Sequence, residues 1–270
     1  MATTTAITPG RLAAFAWHGV SLVILTYALR RLPIHANISG FNIEEQFGSH
    51  YQFLTVLGLW FSRLTTLFAL SSDIYPSSAG MRKFKTMLMA LTMPAEVLIS
   101  LLYWPILLLD PSLLIPPRKV MNPDNPAQLI WETVRLPLLD DLSFHAAPAI
   151  FLVLDYLIFE PPFPKEIHPA AVSALSTAAY GIWVEICANK NGNYPYPLLG
   201  ILSNAQRVGL YSVCAILFVG ITTSVTLLHK AIDKAYKREW DQVAGIQGKG
   251  FVGAIDAKQS SRKSAAKKSK

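Results

Sequence analysis

The sequence predicts an all-α integral membrane protein built as a bundle of about six transmembrane helices. Two observations carry that prediction. Of the 270 residues, 52% are hydrophobic and only 15% are charged, with a mean hydropathy of +0.35. A soluble domain of this length needs a more heavily charged surface. Six apolar stretches also approach the ~20 residues that a bilayer-crossing helix requires.

The stretches fall at roughly 11–31, 50–72, 84–109, 141–160, 170–189 and 207–229. The first follows a short polar leader without a small-residue cleavage site and reads as an uncleaved signal anchor. The second contains "GSHYQFLTVLGLWFSRLTT", in which Thr55, Gly58, Ser62 and Thr66 share one small, polar face suited to close helix packing. Pro94, Pro105 and Pro148 stand inside spans, where neighbouring helices can re-satisfy the carbonyls that proline frees. The connection over 110–140 is the longest. Its later part predicts a short interfacial helix with Trp131 at the headgroup level. The fourth span, "DDLSFHAAPAIFLVLDYLIFE", brings His145 about one turn inside the bilayer. Turn formers and two Tyr-Pro steps fill "CANKNGNYPYPLLG" between the last two spans. One six-helix transmembrane bundle over 1–229 is therefore expected, followed by a basic, largely disordered cytosolic tail over 230–270.

The net charge of +7 resides in that tail, where eleven Lys/Arg face four Asp/Glu and the rest of the chain is neutral. Such a tail reads as solvated rather than as a nucleic-acid surface. Cys187 and Cys214 both lie in apolar segments and read as structural thiols. No zinc-ligand spacing is present, and neither metal nor cofactor is expected. Six spans put both termini on one side, and the basic tail marks that side as cytosolic. The loop with Arg82, Lys83 and Lys85 agrees, whereas Arg30, Arg31, Arg118 and Lys119 fall on the other side. The final "KKSK" resembles the dilysine signal that retrieves membrane proteins to the endoplasmic reticulum.

Spans two and four enter from the same side, which puts Thr55 and His145 at matching depths. A hydroxyl is a weak nucleophile until a neighbouring base takes its proton, and a neutral imidazole is the commonest such base. Asp141, one turn before His145, and Glu185, near the same end of span five, are candidates to fix its tautomer. The bland alternative is that Thr55 bonds back to its own helix and His145 ties helices together. Arg63 and Asp155 lie deeper at comparable depths and suggest an ion pair, with Glu96 nearby.

Taken together, "YQFLT" at 51–55, "LSFHAAPAIFLVLDYLIFE" and "GNYPYPLL" at 192–199 resemble the androgen-induced gene 1 family of multi-spanning membrane proteins. The chain departs from the animal members at "ANKNGN", where they carry a histidine and a tryptophan, and its third connection is longer. The resemblance implies an intramembrane hydrolase of fatty acid esters of hydroxy fatty acids. Thr55 would be the nucleophile and His145 the general base, with no cofactor and the bilayer as the source of the lipid substrate. Asn193, Tyr194 and Tyr196 are then candidates for substrate binding, and Ser143, Asn193 and Tyr194 for stabilising the oxyanion. The alternative is a non-catalytic lipid or ion transporter or binding protein that uses mid-membrane Arg63, Glu96 and Asp155.

Overall fold

A computed structural model describes residues 9–38 and 42–236. It contains five helices long and apolar enough to cross a membrane, and a bent pair that makes a sixth span. They are α1 (Pro9–Arg31), α2 (Leu54–Ile74), α3 (Ala79–Leu109), the pair α4 (Leu138–His145) and α5 (Ala147–Phe159), α6 (Pro169–Asn191) and α8 (Asn204–Tyr236), with a short α7 (Pro197–Ile201) before the last. The all-α membrane bundle that the composition predicts is the fold observed. α8 runs to Tyr236, past the expected boundary at 229; the remaining basic tail, with its "KKSK", lies outside the described residues.

α3 is the central helix. It packs against α2, α5 and α8, and more sparsely against α4 and α6. Around it α2 packs on α1, α1 on α5, α5 on α8, and α8 on α6. The ring does not close between α6 and α2, which share at most isolated contacts. One apolar core joins Met89 and Met93 of α3 to Leu152 and Tyr156 of α5. A second joins Leu25 and Ala28 of α1 to Leu59 and Phe144. The small face of α2 is the expected seam: Gly58, Ser62 and Thr66 are buried, and a Cβ on Gly58 would stand 2.6 Å from Glu96 Oε1 of α3. Thr55, at the top of that face, is half-buried.

Three expectations are corrected. The connection after α3 holds an antiparallel hairpin, β1 (Arg118–Asn122) with β2 (Asn125–Glu132), instead of an interfacial helix. Asn122 Oδ1 accepts the Asp124 N–H at 3.0 Å, an Asx turn that reverses the chain where a helix would have had to continue. Trp131 consequently lies on a strand, paired with Lys119. The fourth span is broken at Ala146 rather than continuous. Pro148 has no N–H, and its ring would clash with the Phe144 carbonyl of a continuous helix.

The third correction concerns the buried charges. Arg63 and Asp155 do not pair. Arg63 Nε donates to Thr26 Oγ1 at 3.2 Å, and its guanidinium lies 5.5 Å from the Trp60 ring. Asp155 instead accepts from Lys85 Nζ at 3.3 Å and contacts His18 Nε2 at 2.9 Å. His18 Nδ1 reaches Asp73 at 2.6 Å, and Lys85 reaches Glu160 at 2.5 Å. This network ties α1, α2, α3 and α5 together at the end of the bundle opposite Thr55. Lys85, expected as a loop charge, is only 3% exposed. Charges removed from water are tolerated where such partners surround them.

Candidate active site

α2 starts later than its apolar stretch. Gly48 at φ 82° and Ser49 at φ 47° turn the chain, a 3-10 turn spans Ser49–Gln52, and extended Phe53 precedes the helix. A side chain at Gly48 would be strained by that φ and would also meet Cys187 Sγ at 2.8 Å. Thr55 therefore sits in the first helical turn, where amide N–H groups have no intrahelical acceptor. Tyr196 Oη accepts the Leu54 N–H at 3.1 Å, and both Tyr196 and Thr55 face the same cavity. Burial pushes the Tyr196 phenol above the ordinary tyrosine range, so it keeps its proton and remains a donor at neutral pH. Tyr180 donates to Gln52 O at 3.2 Å, which fixes α6 to the same turn.

Thr55 and Tyr196 line a cavity of about 500 Å³. Its walls come from α2, α3, α6 and α8, and Leu114 and Leu199 contribute at the Tyr196 end. Along α3 the lining runs from Leu91 to Ile106, a length of ~22 Å at 1.5 Å per residue. Leucine, isoleucine, alanine and aromatic side chains dominate it. The volume is within the range of small-molecule sites, and the long, apolar form suits an acyl chain.

His145 is the last residue of α4, at the break in the span. Its carbonyl, released from the helix, accepts from Ser100 Oγ and from Trp104 Nε1 of α3, the latter at 3.3 Å. That satisfies a backbone group which membrane burial would otherwise leave costly. Nδ1 of the imidazole stands 2.8 Å from Asp141 Oδ1, one helical turn earlier. With Nδ1–H donating to the carboxylate, the lone pair lies on Nε2. His145 does not itself line the cavity; Tyr103 does, and the imidazole lies behind the Tyr103 ring in a parallel stack with centroids 3.4 Å apart. Tyr103 Oη is buried near Asp141 without meeting hydrogen-bond geometry. The structure thus brings Thr55 and Tyr196 together on one wall, with the Asp141–His145 pair one ring away.

The other expected residues are placed elsewhere. Glu185 accepts from Arg207 Nε at 2.8 Å and from Tyr194 Oη at 2.6 Å, so Asp141 is the group that orients His145. Asn193 Oδ1 accepts from Gln46 Nε2 at 3.1 Å. Ser143 donates to Asp140 O at 2.8 Å. Ser143, Asn193 and Tyr194 are therefore engaged outside the cavity wall, and Tyr196 is the candidate that lines it. Arg63, Glu96 and Asp155 have separate partners: Glu96 accepts from Ser62 Oγ at 2.8 Å, Arg63 donates to Thr26, and Asp155 accepts from Lys85. Tyr103 and Tyr180 escaped notice in the sequence, where nothing separates them from other aromatics in apolar helices. Cys187 is buried, and Cys214 stands as a free thiol on the cavity wall.

A family profile described as FAR-17a/AIG1-like protein matches residues 10–230. A relative described as a UPF0641 membrane protein, from Schizosaccharomyces pombe, is 34% identical over 226 residues, spanning 83% of this chain and 94% of its own length. No solved structure matches the chain.

Proposed function

We propose that this chain, which belongs to the FAR-17a/AIG1-like family, hydrolyses fatty acid esters of hydroxy fatty acids from within the bilayer. The observation that carries the proposal is the position of Thr55. It is a hydroxyl at the polar end of a long apolar cavity, with a carboxylate-oriented imidazole behind one aromatic ring of the wall. An acyl chain lying along α3 brings its ester carbonyl to that end.

Thr55 Oγ attacks the carbonyl carbon as its proton passes to His145 Nε2, which Tyr103 must uncover by rotating from the stack. The tetrahedral oxyanion is received at the start of α2 by the Tyr196 phenol. Collapse breaks the ester C–O bond, the imidazolium returns its proton to the departing alkoxide, and the hydroxy fatty acid leaves. Water, deprotonated by His145, then attacks the threonyl ester; the proton goes back to Thr55 Oγ and the fatty acid is released. Asp141 holds the tautomer and stabilises the transient imidazolium, as a buried carboxylate does in serine hydrolases.

The test is hydrolysis of a palmitic acid ester of hydroxystearic acid by the purified protein. Wild type is expected to release both acids and Thr55→Ala to release neither. Turnover by a folded Thr55→Ala protein at the wild-type rate overturns the proposal.

A further inference from the structure

The ring of helices around α3 closes everywhere except between α2 and α6, and the cavity lies in that opening. At the Thr55 end the opening is bridged. Trp183 Nε1 donates to Tyr51 O at 2.8 Å, Tyr180 Oη to Gln52 O at 3.2 Å, and the Phe47 N–H to Asn191 Oδ1 at 2.8 Å. These bonds join α6 to the chain just before α2. Farther along, the cavity wall comes from Phe61 on one side and from Ser176, Thr177 and Ala179 on the other. Phe61 is 41% exposed although it lines the cavity, and Ala179 is exposed as well. The same residues thus face both the cavity and the outside of the bundle, at a level below the first turns of α2. In a membrane that outside is lipid tail, and loss of packing between two helices is tolerated where an acyl chain substitutes for it.

We infer that the opening between α2 and α6 is a lateral portal through which a single long acyl chain passes between the bilayer and the cavity. The inference names the route and the ligand class of the proposed hydrolase site. It rests on that reading for the site but requires no chemistry. Trp183 and Tyr180 form the lintel of the portal, Phe61 one jamb, and the small residues Ser176, Thr177 and Ala179 the other. Three small side chains on the α6 edge leave room for methylene groups to slide past, and a polar headgroup stays at the bridged end near Tyr51 and Tyr196.

The test measures exchange of deuterated palmitic acid into protein held in phosphatidylcholine nanodiscs, with occupancy read by native mass spectrometry. All variants carry Thr55→Ala, so the absence of ester cleavage leaves the readout unchanged and the failure of either reading is seen separately. Ala179→Trp is expected to slow exchange by about tenfold or more, as a blocked gate does. Ile182→Trp, on the same helix but outside the cavity lining, is expected to exchange like the parent. Thr177→Trp replaces Ala179→Trp if the latter does not fold. Parent-like exchange in both portal variants, equal slowing by Ile182→Trp, or absence of palmitate binding in the parent each overturns the portal.

Discussion

Tyr103 and His145 stack with ring planes 6° apart, which places a cavity-lining phenol over an imidazole already bonded to Asp141. The stack predicts a difference between two substitutions. Tyr103→Phe keeps the ring and removes a hydroxyl that makes no hydrogen bond, so its thermal midpoint in detergent should match wild type. Tyr103→Ala empties a site that is 7% exposed, with an expected cost of about 3 kcal/mol. Equal destabilisation by both would contradict the placement of the ring.

Asp141→Asn tests the orientation of the base. The amide can still touch Nδ1, but it favours the wrong tautomer and cannot stabilise an imidazolium. Ester hydrolysis should fall in kcat by about 10²–10⁴, the range of general acid–base contributions, with KM nearly constant. Glu185→Gln, which loosens Arg207 and Tyr194 instead, should leave kcat within a few-fold of wild type. Steady-state kinetics on the two variants separates the assignments.

The Lys85 network predicts a stability effect without a catalytic one. Lys85→Met leaves Asp155 and Glu160 without their shared ammonium. Stranding buried partners in this way costs about 3–5 kcal/mol. The fraction that remains folded should hydrolyse ester at the wild-type rate, because the network lies at the opposite end of the bundle. A thermal melt paired with activity per folded molecule checks both halves.

Gly58→Ala tests the contact between α2 and α3. Its Cβ would lie 2.6 Å from Glu96 Oε1 and 3.0 Å from Ile99 Cδ1, so Glu96 must shift away from Ser62. A destabilisation of about 1–3 kcal/mol is expected, as for other overpacked interiors. An unchanged melting temperature would show that the two helices have room to separate.

How far the sequence could be read depended on the range of each signal. The spans were legible because a lipid-facing helix has to be apolar along its length. The i, i+4 spacing of Asp141 and His145 made their contact legible from one element alone. The break after His145 was not, because a proline such as Pro148 is tolerated in many continuous membrane helices. The Arg63–Asp155 pairing is absent because the two depths differ: their partners on α1, Thr26 and His18, are separated by a helical rise of ~12 Å. The hairpin is not legible in the sequence because its alternation is short and its strands are flanked by prolines. The α2–α6 opening and the Tyr103 stack are properties of neighbouring helices, which no single stretch of chain records.

The most direct test of the central claim is covalent labelling of the detergent-purified protein with a fluorophosphonate probe, followed by peptide mapping of the adduct. One adduct is expected, on Thr55, and it is lost in Thr55→Ala and in His145→Ala while both variants remain folded. An adduct that persists at wild-type level in Thr55→Ala would contradict it.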